Sequence, residues 1–170
     1  MSVETAARDN ADWGRTVETH VCDRWNLEHV AGDRDVPDWY DATASTDHHL
    51  TVNGVTLDEP WLAAGTPVEV KSCQARVEDG SSTRRGRWWI RKGAHDQLVE
   101  VGGEYALAVG GPDTGIHRTV LVSARTVDRL IEQHATWSPT GSSHSAEAAA
   151  RLPWTAVFAE ADLQAGGERA

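Results

Sequence analysis

Glu69 and Lys71 stand two residues apart in the run Pro67-Val68-Glu69-Val70-Lys71-Ser72-Cys73. The alternation reads as a β-strand, on which successive side chains point to opposite faces. The acid and the amine therefore share one face, and Val68 and Val70 the other. A carboxylate held beside an ammonium can bind a hard cation and orient a water or steady a charged phosphate, which is what metal-dependent phosphodiester chemistry requires. An isolated Glu-x-Lys is more often a weak surface ion pair. Here, however, only Lys71 and Lys92 of the 16 basic residues are lysine, so a chance pairing is less expected.

Other residues add to this pair. Asp38 and Asp41 lie in Val36-Pro37-Asp38-Trp39-Tyr40-Asp41-Ala42-Thr43, which reads as a strand entered through proline. Being three residues apart, the two aspartates would face opposite ways on a regular strand, so only one can join a site. Asp41, between Tyr40 and Ala42, is the odd residue, because aspartate is depleted from strand interiors. Downstream, Arg84, Arg85, Arg87, Arg91 and Lys92 surround Trp88 and Trp89 with no acid among them. This local basic patch suits a polyanion, with one tryptophan free to stack on a base and the other in the core. A solvated arginine face is the competing reading. His95 follows closely and is grouped with the arginines.

The bulk composition argues the other way. A formal net charge of -10 opposes nucleic-acid binding, which normally leaves a basic footprint. For a polyanion the local patch outweighs the total. An acidic, lysine-poor chain fits a high-salt cytoplasm, where surface carboxylates preserve solubility; full folding and solubility after salt removal would remove the support for that hypothesis. No stretch approaches the ~20 apolar residues of a membrane span, and the first ten residues are polar, so a soluble, cytoplasmic protein is expected, without a signal peptide. Cys22 and Cys73 are far apart and read as small buried hydrophobes rather than a zinc pair or disulfide.

The elements that must position these residues follow from periodicity. Val17, Val21 and Trp25 recur every four positions, predicting a helix over residues 14–25 with Glu18 beside the apolar stripe. Residues 27–30 read as a short strand. Residues 50–57 form a hairpin about Asn53-Gly54. His48 and His49 before it would diverge on a strand. Residues 74–83 read as a turn or loop. Ala94, Leu98 and Val101 predict a second helix ended by Gly102-Gly103. Residues 105–109 read as a strand buried on both faces, residues 119–122 as another strand, and residues 124–131 as a third helix. The expected organisation is a flexible lead-in over 1–13, one domain over 14–133, a polar linker over 134–151, and a docking segment with tail over 152–170. An α/β class follows, with a mixed sheet flanked by helices.

This order resembles the PD-(D/E)XK nuclease superfamily, the restriction-endonuclease-like fold that also includes archaeal Holliday-junction resolvases, over roughly residues 14–131. Val68-Glu69-Val70-Lys71-Ser72 matches the second half-motif. Pro37-Asp38 matches the first half-motif literally, whereas Asp41 better fits an aspartate on the strand beside Glu-x-Lys. The resemblance implies a restriction-endonuclease-like central sheet with the hairpin as an insertion. It further implies that Asp41, or alternatively Asp38, binds Mg²⁺ (or Mn²⁺) with Glu69 and the Val70 carbonyl. Lys71 would position the attacking water, and Glu18 would orient Lys71 or support a second cation. DNA would be the substrate, gripped by Arg84, Arg85, Arg87, Arg91, Lys92 and His95, and a homodimer would serve to cut both strands. The rivals are a catalytically inactive nucleic-acid-binding module on the same fold and a small partner-binding α/β protein.

Overall fold

The computed structural model describes residues 3–30, 39–140 and 147–164. In chain order the elements are α1 (Val3–Trp25), β1 (Leu27–His29), β2 (Ala42–Ala44), β3 (His48–Val52), β4 (Val55–Leu62), β5 (Pro67–Gln74), β6 (Arg76–Asp79), β7 (Ser82–Arg85), β8 (Arg87–Arg91), α2 (Lys92–Glu100), β9 (Glu104–Gly111), β10 (Gly115–Ser123), α3 (Ala124–His134), β11 (Ser138–Pro139), β12 (Ala148–Pro153), a short 3₁₀ turn at Trp154–Ala156, and α4 (Glu160–Gln164).

A five-stranded sheet in the order β1-β2-β5-β9-β10 forms the centre. β5 and β9 run parallel, joined by a crossover that contains α2, and every other pair in this sheet is antiparallel. α1 covers one face: Trp13, Val17 and Val21 bury against Leu27, Ala42, Val68, Val70 and Ala106. The opposite face carries Cys73, Tyr105, Leu107 and Val109, packed under α2, α3 and the inner sides of β8 and β12. Strand alternation thus divides β5 as its sequence requires, with Val68 and Val70 beneath α1 and Glu69 and Lys71 on the other side. The result is the mixed sheet flanked by helices expected of the restriction-endonuclease-like class.

Several local readings hold for simple reasons. Asn53 and Gly54 take φ of 51° and 81°, the left-handed pair a two-residue hairpin turn needs. Ser123 caps α3 by accepting from the Thr126 N–H at 3.3 Å. On the β3–β4 hairpin the cross-strand register Val52↔Val55 puts Leu50, Val52, Val55 and Leu57 on one exposed face.

Other readings need revision. α1 begins at Val3, so the helix extends through much of the expected lead-in. The segment expected as a loop over 74–83 contains β6 and begins β7, an antiparallel hairpin whose β7 strand is polar and exposed and whose β6 strand carries Val77 alone as an apolar residue, so no apolar alternation announces it. The expected linker over 134–151 includes β11 and most of β12, and β12 pairs along the whole of β8. At the corner between β7 and β8, a Cβ on Gly86 would lie 1.7 Å from the Gln74 carbonyl oxygen, so only glycine fits. Among the described residues no helix is long and apolar enough to cross a membrane.

Candidate active site

β2 pairs with β5 only at Ala42↔Val68 and Thr43↔Pro67. Asp41, just before β2, still donates its N–H to the Val68 carbonyl at 3.0 Å. Beyond that point the ladder stops. The next β5 donor on this edge, the Val70 N–H, is taken instead by the Asp41 carboxylate, Oδ2 accepting at 2.7 Å. This explains an aspartate at the mouth of a strand: its side chain replaces the backbone partner that the parting strands lack. The Val70 carbonyl leaves β5 on the same edge as its N–H, so it borders the same gap.

Glu69 extends from β5 into this region and is only 4% exposed. The Lys71 ammonium donates to its Oε1. Burial pushes the Glu69 carboxyl up to about 7; Asp41 raises it further, and Lys71 pulls it down without cancelling the effect. The two acids thus lie close together, with the Lys71 ammonium bonded to Glu69, and near neutrality Glu69 tends to hold a proton. Lys71 itself is part-exposed, so the constellation opens to solvent at the amine.

This donor set fits a small hard cation. A divalent ion that keeps several waters takes one or two carboxylates from protein, and its charge would offset both the burial and the lesser Asp41 repulsion that raise the Glu69 pKa. Among the described residues no cluster of three or more His, Cys, Asp or Glu side chains is gathered for a metal, so Asp41, Glu69 and the Val70 carbonyl are the set available. Softer ligands are absent from it: burial pushes the Cys73 thiol up to about 12, and burial together with Glu18, Asp23 and Asp41 raises that of Cys22.

The remaining expected residues are placed as follows. Asp38 lies outside the described residues. Glu18 bonds His29 across the α1–β1 junction, Oε2 to Nε2 at 3.1 Å, and its recorded partner is that histidine rather than Lys71. His95, grouped with the arginines as a phosphate contact, is 1% exposed. Its Nδ1 meets the Tyr105 hydroxyl at 3.1 Å and its Nε2 meets Asp128 at 3.3 Å. It offers a nucleic acid nothing on the surface, and burial keeps its pKa below the ordinary value. The basic run is divided over three elements: Arg84 and Arg85 on β7, Arg87 and Arg91 on β8, Lys92 at the start of α2. Arg85 pairs with Glu160 at 2.6 Å, and Lys92 with Asp96 at 2.8 Å. Trp88 is fully buried and donates to the Ala108 carbonyl at 2.9 Å, whereas Trp89 is 43% exposed.

A family model, the PD-(D/E)XK nuclease superfamily domain, matches residues 4–159. The chain belongs to the PD-(D/E)XK nuclease superfamily. No characterised protein and no solved structure matches it significantly. Within a PD-(D/E)XK chain the gap between β2 and β5 stands out, because it brings an aspartate from the mouth of β2 to the strand that carries the glutamate and the lysine, which is distant from it in sequence.

One further group near this centre escaped the sequence reading. Tyr105 is the β9 residue in register with Glu69, and burial, followed by the charges of Glu69 and Asp96, raises its pKa. It links the acid-bearing strand to His95 on α2 and, through it, to Asp128 on α3. Parallel pairing between β5 and β9 creates this adjacency, and nothing local in either strand signals it.

Proposed function

We propose that this protein is a Mg²⁺-dependent DNA endonuclease, with Mn²⁺ as a possible substitute, whose centre is Asp41, Glu69 and Lys71. The observation that carries this reading is the Asp41–Val70 bond beside the buried Glu69 and its part-exposed Lys71 partner, since it gathers two carboxylates, a carbonyl and an ammonium at one opening of the sheet. Bound there, the cation would supply Lewis-acid stabilisation of the charge that grows on the scissile phosphate. Asp41 and Glu69 would hold it, with the Val70 carbonyl as a third donor. Lys71 donates from Nζ to the attacking water and attracts the phosphate, and its contact with Glu69 fixes where that ammonium sits. Glu18, paired with His29, supports the edge of the sheet at β1 and is a positioning residue in this reading. Acting on both strands of a duplex calls for two copies of the centre, so a homodimer belongs to the proposal. The acidic, lysine-poor composition supports a cytoplasmic, high-salt working environment.

Calorimetric titration with Mg²⁺ in high salt tests the cation site. One class of site is expected in the wild type and none in Glu69→Ala. Heats that are unchanged in the variant would place the cation elsewhere. A catalytically inactive binding module on the same fold would bind DNA but show no cation site that depends on Asp41 or Glu69.

A further inference from the structure

The outer face of the small sheet β11-β12-β8 carries chemistry that the catalytic centre does not use. On β8 the side chains alternate: Trp88 and Ile90 are buried, while Arg87 and Trp89 are exposed. The register Arg151↔Trp89 on the neighbouring β12 sets an arginine beside the exposed indole. The Arg151 guanidinium carbon lies 4.9 Å from the Trp89 ring centroid. Arg87, Trp89 and Arg151 line a cleft of about 620 Å³ together with His134, Thr136 and Thr140, and its described lining contains no acid. In a protein of net charge -10, a concavity lined by two arginines, a histidine and an exposed tryptophan has the charge and the aromatic surface that suit an anion with a flat face.

We propose that this face is a single-stranded DNA subsite, in which Trp89 stacks on an unpaired base and Arg87 and Arg151 hold the adjoining phosphates. Stacking on an aromatic suits an unpaired base, because a paired base hides both faces within the duplex, and arginines along the strand follow the backbone without regard to sequence. The cation–π contact holds Arg151 in place against the indole before any ligand arrives, which reduces the ordering cost of binding. Because β8 buries its other side in the core shared with β9, the subsite is part of the same packed body as the acidic centre. The inference deepens the nuclease reading by naming an unpaired segment, as found at a branch, flap or end, as a preferred feature of the substrate.

The test is fluorescence anisotropy with a labelled oligothymidine of about a dozen nucleotides, a length within the range that single-strand sites span. It is run in EDTA so that cutting plays no part, with a blunt duplex of equal length for comparison. The wild type is expected to bind the single strand more tightly than the duplex. Trp89→Ala should weaken single-strand binding by at least about fivefold, the lower end of what one stacked base contributes. Duplex binding should change by less, and Trp89→Phe should recover part of the loss. Arg151→Ala should weaken binding and reduce its salt dependence. Because Trp89 is exposed, circular dichroism is expected to show an intact fold in each variant. No oligothymidine binding by the wild type, or equal binding by the wild type and Trp89→Ala, would overturn the subsite whether or not the protein cuts DNA. Trp89-dependent binding by a protein that never cuts would uphold the subsite and remove the nuclease reading instead.

Discussion

The Asp41 carboxylate accepts the Val70 N–H at 2.7 Å just beyond the last β2–β5 pair, so a side chain takes this donor where the paired backbone ends. One side chain thereby does two things: it completes the sheet hydrogen bonding, and it carries a negative charge to within reach of Glu69.

These two roles separate under substitution. Asp41→Asn keeps an acceptor for the Val70 N–H and removes the charge. It should stay within about 1 kcal/mol of wild-type stability while losing Mg²⁺ binding and cutting. Asp41→Ala also orphans the part-buried donor, at a further cost of about 1–3 kcal/mol. Urea unfolding of both variants checks this. Equal stability of the two would mean that the bond contributes little to the fold.

Glu69 makes function and stability depend on pH in opposite directions. Its folded pKa is raised to about 7, so the native state holds this proton more tightly than the unfolded chain does. That contribution to stability is fully present below the ordinary carboxyl value and is lost as pH rises through about 7. Glu104, also raised to about 7 by burial, titrates in the same window. The difference between the wild type and Glu69→Gln therefore isolates Glu69. Without metal, the wild type should lose stability from weakly acidic to neutral pH by more than Glu69→Gln, and Mg²⁺ should diminish that loss. Cutting at subsaturating Mg²⁺ should rise through the same window and shift to lower pH as Mg²⁺ increases, because cation and proton compete for one carboxylate.

The Tyr105–His95–Asp128 chain should be structural at its buried end. Tyr105→Phe leaves the His95 Nδ1 without its hydroxyl partner in a buried setting, with an expected cost of about 1–3 kcal/mol. His95 has a depressed folded pKa, so its contribution is present above the ordinary imidazole value and is lost as pH falls through the folded one. Asp128 and Asp96 oppose that depression and Lys92 adds to it. Thermal melts from neutral to acidic pH should show a smaller acid loss in His95→Gln than in the wild type. Identical acid limbs would exclude His95 as a source of the loss.

How much of this was legible in the sequence depends on the range of the interactions involved. The alternation of Val68 to Lys71 and the Asn53-Gly54 turn are local, with periods set by the backbone itself, and both could be read directly. The helix stripe of Val17 and Val21 is equally local, although α1 starts well before the stripe. Asp41 could be recognised as anomalous for a strand. Its bond to Val70 could not be read, because it depends on how far the β2–β5 ladder extends. His95 was misplaced for a similar reason: its partners Tyr105 and Asp128 lie on β9 and α3, and its neighbours in sequence are the exposed arginines. The β6–β7 hairpin, exposed along β7 and lacking an apolar face, gave no periodic signal. Arg151 becomes meaningful only through its pairing with Trp89, which requires β12 to return to β8.

The most direct measurement is cleavage of linear, branched and single-stranded DNA by the purified protein in high salt with Mg²⁺ or Mn²⁺, comparing the wild type with Lys71→Ala. The wild type should cut at least one of these substrates. Lys71→Ala should lose cutting by about 10²-fold or more, while its circular dichroism and melting stay close to wild type. A wild type that leaves all three substrates intact, or a Lys71→Ala variant that cuts as fast as wild type, would contradict the assignment of the Asp41–Glu69–Lys71 centre.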